Sequence, residues 1–339
     1  MNFKSFSFAA ILICSFGTRA NTFTNARTDG ETLTNVSYLN TGGTPDKPIV
    51  IKGKHIISNK DDLGALELRN CHDFLIYDNV IDARTTAIND KAQVLRFAIH
   101  LYNCYNITIR HNKLLNGATN VYTEHCTNNI VVDSNEMINA HGPYPRGAHV
   151  QFNRTNGSGN VISNNKMENF QDKSYPEDAI NLYMCNGTSD SPILVKGNWI
   201  RGGGPSITGS GITVGDNGGT YQTITENRVV NSGHMGIQTG GGSYITITNN
   251  TIYGADFPWS GAGLAIANYH TSPSSHNKVY GNKISWIEHT HYRRDTVWKP
   301  GKNGKINDRP EGWDNNTPKA QVDPESMLPK KLVHDTDNN

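Results

Sequence analysis

ITITNNTIY (residues 245–253) repeats the pattern of FLIYDNVI (74–81) and ITIRHNKLL (107–115), in which an alternating apolar run ends at an Asn and a further apolar residue. Eight segments share this pattern, and their Asn residues lie between 23 and 33 positions apart. They are Asn79, Asn112, Asn135, Asn165, Asn198, Asn227, Asn250 and Asn282. A short strand and a polar turn that recur at such intervals are typical of a parallel β-solenoid. Equivalent residues of successive coils then lie about 4.8 Å apart along the axis.

The repeated Asn is assigned a structural role. Asn tolerates the left-handed backbone conformation found in tight turns. Stacked Asn amides also hydrogen-bond from layer to layer in other stacked-strand architectures. The sequence therefore predicts an all-β, single-domain right-handed parallel β-helix with about eight to nine coils and terminal caps.

The chain divides into three parts. Residues 1–20 have a basic start, an apolar middle and a small-residue end, as a signal peptide does. Residues 21–286 form the predicted β-helix, which is also the predicted catalytic domain. The periodicity stops at Ile287, so 287–339 is expected to be a C-terminal cap and tail with a disordered end. A chain of this kind is secreted, to the periplasm or the extracellular space.

The charge of the chain restricts its partners. The formal net charge is +1, and it falls to −1 without Lys4 and Arg19 of the leader. A nearly neutral chain lacks the clustered basic face of a nucleic-acid-binding protein. No segment after the leader has the length and apolarity of a transmembrane helix. We therefore expect a monomer that binds neither nucleic acid nor membrane, while a local basic groove for an acidic polymer remains compatible with this charge.

Four cysteines follow the leader and recur at one turn of the coil. They are Cys71, Cys104, Cys126 and Cys185. Neighbouring coils would bring them within disulfide range in an oxidising compartment. A column of small buried thiols is the favoured interpretation, because free Cys is often buried. No pair of His or Cys residues has a chelating spacing, so no metal site is expected.

A second strand in each coil carries the candidate site. Two of its positions are apolar and are predicted to face the core, so strand alternation turns the residues between them outward. The outward residues of the middle coils are polar, and they are His149, Gln151, Asn153, Asn181 and Tyr183, with His100, Tyr122 and Gln238 on neighbouring coils. Toward the C-terminus these positions become glycine-rich, which leaves room for a ligand.

Longer loops lead into the same strands. They bring Arg146 just before His149 and place Lys173 beside the next coil. The loop DFPWSG (256–261) carries Trp259, which is predicted to stack on a sugar. Cationic loops around a polar strand face predict a groove for an acidic, extended polysaccharide.

Several segments resemble the secreted right-handed parallel β-helix polysaccharide lyases, in particular the alginate lyases of polysaccharide lyase family 31. The resemblance rests on the coil series and on PIVIKG (48–53), RGAHVQFN (146–153), YPEDAINLY (175–183) and GNWIRGGGPS (197–206). It implies cleavage of a 4-linked uronate polymer by β-elimination, with mannuronate-type alginate as the favoured polymer.

That reaction needs a group that neutralises the uronate carboxylate, a base for the C5 proton and an acid for the leaving O4. Under the resemblance, Gln151 and Asn181 bind the carboxylate and Arg146 adds positive charge. Tyr183 is the acid, and also the base if proton and leaving group lie on one face of the ring. His149 is the alternative base. The remaining substrate-binding candidates are Lys173, His100, Tyr122, Asn153, Gln238 and Trp259.

Related β-helix lyases often use calcium as the neutralising group. Glu67 and Glu124 are two coils apart, too far to share one ion, so we expect no metal cofactor and treat calcium as the disfavoured alternative.

Two other functions fit the same groove. A mannuronan C5-epimerase begins with the same deprotonation and then reprotonates C5 from the other face. A non-catalytic carbohydrate-binding β-solenoid would bind without forming a product. Hydrolysis is disfavoured, because it needs several Asp on the sheet face and the predicted face offers only Asp216, at one edge.

Overall fold

The computed structural model of the chain describes residues 31–61, 63–85, 95–143, 146–301 and 305–333. The expected signal peptide (1–20) lies outside the described residues. Within them, no helix combines the length and the apolar character needed to cross a membrane.

The coils between the two ends each pass through three strands, and a strand there pairs in parallel with the equivalent strands of the coils before and after it. The strands build three sheets along one axis. Sheet 1 has ten strands, which are β1 (Thr32–Thr34), β4 (His55–Ile57), β7 (Val80–Asp82), β10 (Lys113–Gly117), β13 (Glu136–Ala140), β16 (Lys166–Glu168), β19 (Trp199–Arg201), β21 (Arg228–Val230), β24 (Thr251–Gly254) and β27 (Lys283–Trp286).

Sheet 2 carries the polar strand face. Its strands are β2 (Val36–Leu39), β5 (Gly64–Arg69), β8 (Phe97–Tyr102), β11 (Thr119–Glu124), β14 (Val150–Asn153), β17 (Asp178–Asn186), β20 (Ser210–Thr225), β22 (Met235–Thr239), β25 (Ala262–Ile266) and β28 (Thr296–Trp298). Sheet 3 continues from it around the coil. Its strands are β3 (Ile49–Lys52), β6 (His72–Tyr77), β9 (Tyr105–Arg110), β12 (Ile130–Asp133), β15 (Val161–Ser163), β18 (Ile193–Lys196), the second half of β20, β23 (Ser243–Thr248) and β26 (Lys278–Tyr280).

This architecture confirms the predicted all-β, right-handed parallel β-helix and its number of coils. The first apolar column of sheet 2 is fully buried, as alternation predicts, and consists of Leu66, Ile99, Val121, Val150, Ile180, Ile212, Ile237 and Leu264. These side chains fill the interior along the whole axis, so the sheet's outer face is fixed rigidly on the core.

The repeated Asn residues form a buried ladder beside the core. The Oδ1 atom of Asn165 accepts hydrogen bonds from the backbone N–H and from the Nδ2 of Asn135, each at 3.0 Å. Its own Nδ2 donates to the carbonyl of Val132 at 2.9 Å and to Oδ1 of Asn198 at 3.0 Å. The same pattern links successive coils along the chain. The structural role predicted for these residues is confirmed.

The solenoid continues past Trp286. Strand β28 pairs with β25, and the ladder extends because Nδ2 of Asn282 donates to Oδ1 of Asn316 at 2.7 Å. Residues after the predicted boundary therefore add strand pairing and a ladder position to the last coil. The sequence did not show this because the residues around Asn316 lack the apolar alternation of the other repeats.

The tail packs back on the solenoid. A short 3₁₀ helix (Trp313–Asn315) precedes helix α1 (Pro324–Met327). Beyond α1, Leu328, Leu332 and Val333 are buried in a cluster with Val230 of sheet 1. The chain is thus packed as far as Val333, and the part of the expected disordered end at 334–339 lies outside the described residues.

The four described cysteines are free and buried, as the buried-thiol interpretation predicts. Sγ of Cys185 is 3.2 Å from the carbonyl of Phe152, to which it donates. Burial raises the pKa of this thiol to about 12.

Candidate functional site

The outer face of sheet 2 and the loops that enter it enclose a groove of about 1060 Å³. Its floor follows one outward column across six consecutive strands. The column contains His100, Tyr122, Gln151, Asn181, Thr213 and Gln238. Arg146, Asn153 and Tyr183 line the groove as well. The structure therefore brings together most of the residues that alternation turned outward.

His149 is not in the groove, so the prediction that it faces outward is wrong. Its side chain is fully buried, and Nδ1 accepts a hydrogen bond from Nδ2 of Asn120 at 2.9 Å. The column of His149 lies on the inside of the corner with sheet 1, where a methyl group at the equivalent Gly211 would meet Val229 at 2.6 Å. Burial lowers the pKa of His149 to about 3, so the imidazole is a neutral core group.

Two loop residues also lie elsewhere. Lys173 is exposed in a turn and is not among the residues that line the groove. The ring of Trp259 stacks on Phe257 with centroids 5.1 Å apart and packs against Gly204, away from the groove lining. The positions of Lys173 and Trp259 depend on the paths of their loops, which the strand period does not predict.

Tyr183 lies beside a carboxylate, Asp216, whose position the strand period does not predict. An unbroken strand period would place Gly215 next to Tyr183, but the register shifts within β20 and pairs Tyr183 with Asp216. Gly215 permits the shift, since it adopts a positive φ of 58° and an added Cβ would lie 2.2 Å from the Gly241 carbonyl. Nδ2 of Asn217, the next residue, donates to the Tyr183 hydroxyl oxygen at 2.9 Å. The hydroxyl's own proton is therefore free to point elsewhere.

Asn181 is held between two carboxylates. Its Nδ2 donates to Oδ2 of Asp178 at 2.9 Å and to Oδ2 of Asp216 at 3.0 Å. Its Oδ1 is buried and has no partner among the described residues. Both N–H groups are thus used, so Asn181 has no donor left for a ligand. This contradicts the prediction that it binds a carboxylate, because a carboxylate also only accepts.

Asp178 is a site residue that alternation could not find. It precedes the inward-facing Ile180 by two positions and so has the parity of the core. At the start of β17, however, its Oδ1 accepts from Thr213 Oγ1 at 2.6 Å and its carboxyl lines the groove. Burial, with the negative charge of Glu177, raises the pKa of Asp178 well above 3.8.

The raised pKa of Asp178 has a consequence for stability. The unfolded chain releases this proton near 3.8, and the folded chain releases it only well above that value. Between the two values the folded chain binds more protons, so this carboxyl makes stability fall as pH rises. We expect the stability of Asp178→Asn relative to the wild type to rise from pH 4 to pH 8, measured by urea unfolding at both values.

The matched control for this prediction is Asp190→Asn, in an exposed turn. Its stability difference from the wild type should stay constant over the same range. A constant difference for Asp178→Asn as well would mean that Asp178 is ionised in the folded chain at neutral pH.

The N-terminal end of the groove is aromatic and contains a second polar pair. Nδ1 of His100 is 3.0 Å from the Glu67 carboxylate, which Arg69 also contacts at 2.7 Å. The Tyr122 ring stacks on Phe97 with centroids 4.9 Å apart. Nε2 of His100 is left without a partner among the described residues. This end combines an aromatic wall with polar side chains, as a sugar-binding surface does.

Tyr122 and Asn153 form the adjoining part of the groove. The Asn153 Nδ2 donates to the Tyr122 hydroxyl oxygen at 2.7 Å. Burial raises the pKa of Tyr122, while the positive charge of Arg146 opposes this shift. Tyr122 therefore remains a neutral hydroxyl at physiological pH.

Three phage tailspike structures are similar to the chain. The Dettilon tailspike protein matches with a TM-score of 0.42 and 11% identity over 85% of this chain and 60% of that chain. The enzymatically active domain of tailspike protein 2 of bacteriophage CBA120 has a TM-score of 0.34 and 8% identity over 79% and 41%. A mutant tailspike protein of E. coli bacteriophage HK620 has a TM-score of 0.33 and 12% identity over 81% and 57%.

The chain spans less than two thirds of each of these tailspike chains. A comparison with curated protein sequences gave no significant match. One family model matches residues 17–207, which is more than half of the 339-residue chain. The chain belongs to the family described as periplasmic copper-binding protein (NosD).

Proposed function

We propose that the chain is a secreted, monomeric polysaccharide lyase that cleaves a 4-linked uronate polymer in the groove, with mannuronate-type alginate favoured. The observation that carries the proposal is the juxtaposition of Tyr183 and Asp216 on paired strands. A hydroxyl that can donate and a carboxylate that can accept a proton then face the same part of the substrate.

Gln151 and Arg146 would neutralise the uronate carboxylate. Both line the groove, and Gln151 lies on β14, next to Asn181 on β17. An amide N–H and a guanidinium stabilise the charge that spreads onto the carboxylate when C5 loses its proton. Asn181 would instead orient the Asp216 carboxylate, to which its Nδ2 donates at 3.0 Å.

Asp216 replaces His149 as the candidate base. Its carboxylate takes the C5 proton, and the C5–H electron pair forms the C4=C5 double bond as the C4–O4 bond breaks. The Tyr183 hydroxyl gives its proton to O4, and solvent later restores both groups. Tyr183 can serve as base and acid together if the two events take place on one face of the ring. The Arg154 guanidinium lies 5.6 Å from the Tyr183 ring, so a positive charge stands beside the phenol when it loses its proton.

Hydrolysis is the second candidate, because the structure adds Asp178 to the Asp216 that the sequence offered. Both carboxylates bond to one Asn181 nitrogen, at 2.9 and 3.0 Å. Their bonded oxygens thus lie no more than about 6 Å apart, near the separation of retaining glycosidases. Asp178 is buried, however, and both of its oxygens accept hydrogen bonds. It is better placed to orient Asn181 than to reach a glycosidic oxygen.

The copper of the family description does not fit the residues of this chain. Copper prefers thiolate and imidazole ligands. The described cysteines are buried, and their sulfurs donate to backbone carbonyls. Within the described ranges, no group of three or more His, Cys, Asp or Glu side chains could hold a metal ion. We therefore derive no step that uses copper.

The test measures ultraviolet absorbance and new reducing ends together, on mannuronan, guluronan, glucuronan and polygalacturonate. We expect both signals to rise on one polymer, because elimination forms an unsaturated uronate at every cut. Reducing ends without absorbance would establish hydrolysis. If neither absorbance nor reducing ends rise on any polymer, the chain does not cleave them. NMR of the recovered polymer would then separate a C5-epimerase from a binding solenoid.

A further inference from the structure

Tyr269 and Lys299 form a cationic aromatic pair at the C-terminal end of the groove. Both line it, and Nζ of Lys299 lies 5.8 Å from the centre of the Tyr269 ring. Tyr269 follows β25 and Lys299 follows β28, so both come from the last coils. Neither belongs to the polar strand columns, and Lys299 lies beyond the point where the sequence repeat stops.

Backbone hydrogen bonds hold the pair in place. The N–H of Tyr269 donates to the carbonyl of Gly240 at 2.8 Å, and the N–H of Lys299 donates to that of Ile266 at 2.9 Å. Nζ of Lys305 donates to the Tyr269 carbonyl at 2.5 Å. The chain at both residues is therefore fixed to the neighbouring coil, and a ligand would meet a prearranged surface.

Lys299 supplies a positive charge at this end of the groove. Burial lowers the pKa of His234, and the charges of Lys299 and Arg294 act in the same direction. Arg294 is paired with Glu288 at 3.1 Å. The ion pairs found among the described residues do not include Lys299. Its ammonium group is therefore available to an anionic ligand, in contrast to the carboxylates around Asn181.

We propose that Tyr269 and Lys299 are a distal subsite for a non-reacting uronate unit of the polymer. The inference rests on the proposed function and deepens it. Tyr269 is bonded to Gly240, which follows β22, and β22 lies two strands beyond β17 and Tyr183. Two strand spacings are roughly 10 Å, longer than one sugar ring, so the subsite holds a different unit from the one that reacts.

The chemistry of the pair selects this ligand. The ammonium group of Lys299 pairs with the uronate carboxylate, and the phenol ring covers the apolar face of the sugar. Gly240 lines the groove beside them without a side chain. A chain that reaches from Tyr183 to this subsite gains both contacts, so longer oligouronates bind more tightly and the enzyme acts within the polymer.

Calorimetry with saturated oligouronates of increasing length tests the subsite. The Tyr183→Phe variant is the host, because it is expected to keep its affinity while turnover is strongly reduced. We expect Lys299→Gln in this host to bind short oligomers unchanged and long ones about tenfold more weakly, as befits one lost charge-assisted contact. The loss should shrink as salt rises. Lys278→Gln is the matched control, since Lys278 is an exposed lysine of sheet 3 that pairs with Glu311.

Tyr269→Leu gives the second variant and should weaken long oligomers at every salt concentration. Equal affinities for the host and Lys299→Gln at all lengths would overturn the subsite. These outcomes are separate from β-elimination. If the wild type forms no unsaturated product while the length-dependent loss persists, elimination is wrong and the subsite stands. If product forms and no loss is seen, only the subsite is wrong.

Discussion

Tyr183→Phe is expected to lower kcat on the cleaved polymer by about 10²- to 10⁴-fold, the usual contribution of a positioned acid or base. The substitution removes only a hydroxyl. The Tyr183 side chain is half-buried, and its ring is flanked by the Arg154 guanidinium, which remains. The Asn217 amide loses one acceptor, at a position that is only half-buried. The fold and the affinity for substrate should therefore be retained.

The measurement compares initial rates of absorbance with calorimetric binding and thermal unfolding of the same samples. Tyr105→Phe is the matched control, because Tyr105 is an exposed tyrosine of sheet 3, outside the groove lining. It should retain wild-type turnover. Normal turnover by a folded Tyr183→Phe variant would exclude Tyr183 as the acid and leave Asp216 without its partner in elimination.

Asn165→Ala is expected to lower the free energy of unfolding by about 3–5 kcal/mol, since each buried polar group left unpaired costs about 1–3 kcal/mol. Removal of the Asn165 amide leaves the N–H and Nδ2 of Asn135 without this acceptor. It also leaves the carbonyl of Val132 and Oδ1 of Asn198 without this donor. These groups are in the interior, where no bulk water replaces the lost bonds.

Urea unfolding followed by circular dichroism measures this loss. Asn315→Ala is the control, because Asn315 precedes the ladder residue Asn316 but is exposed in the short 3₁₀ helix. Its cost should stay below about 0.5 kcal/mol. An equally small cost for Asn165→Ala would show that the ladder specifies coil register without stabilising the solenoid.

The groove floor was predictable because a strand has a period of two. Once the apolar columns are placed on the core, Gln151, Asn181 and Gln238 can only face outward. The prediction failed for His149 because the chain turns a corner at the start of each strand, and the alternation no longer decides direction there. It failed for Asp178 for the same reason, because the alternation assigns Asp178 to the core side although it lines the groove.

Asp216 shows a second limit. Its place beside Tyr183 depends on a register shift at Gly215, and a one-residue shift moves each following side chain by one position. The sequence Gly215-Asp216 does not reveal the shift. Glycine would also be expected at an outward position that leaves room for a ligand. The contact with Gly241 that favours glycine exists only when two coils are stacked.

The sequence by itself determined the all-β solenoid, the Asn ladder and the face on which polar side chains gather. These features repeat from coil to coil, so each repeat supports the same assignment. The tertiary structure alone decided which side chains contact each other at the centre and at the ends of the groove. Asp178 and Asp216 meet at Asn181, and Tyr269 meets Lys299, through a strand start, a register shift and loop paths that occur once each. Such single features have no period in the sequence, and packing between coils fixes them.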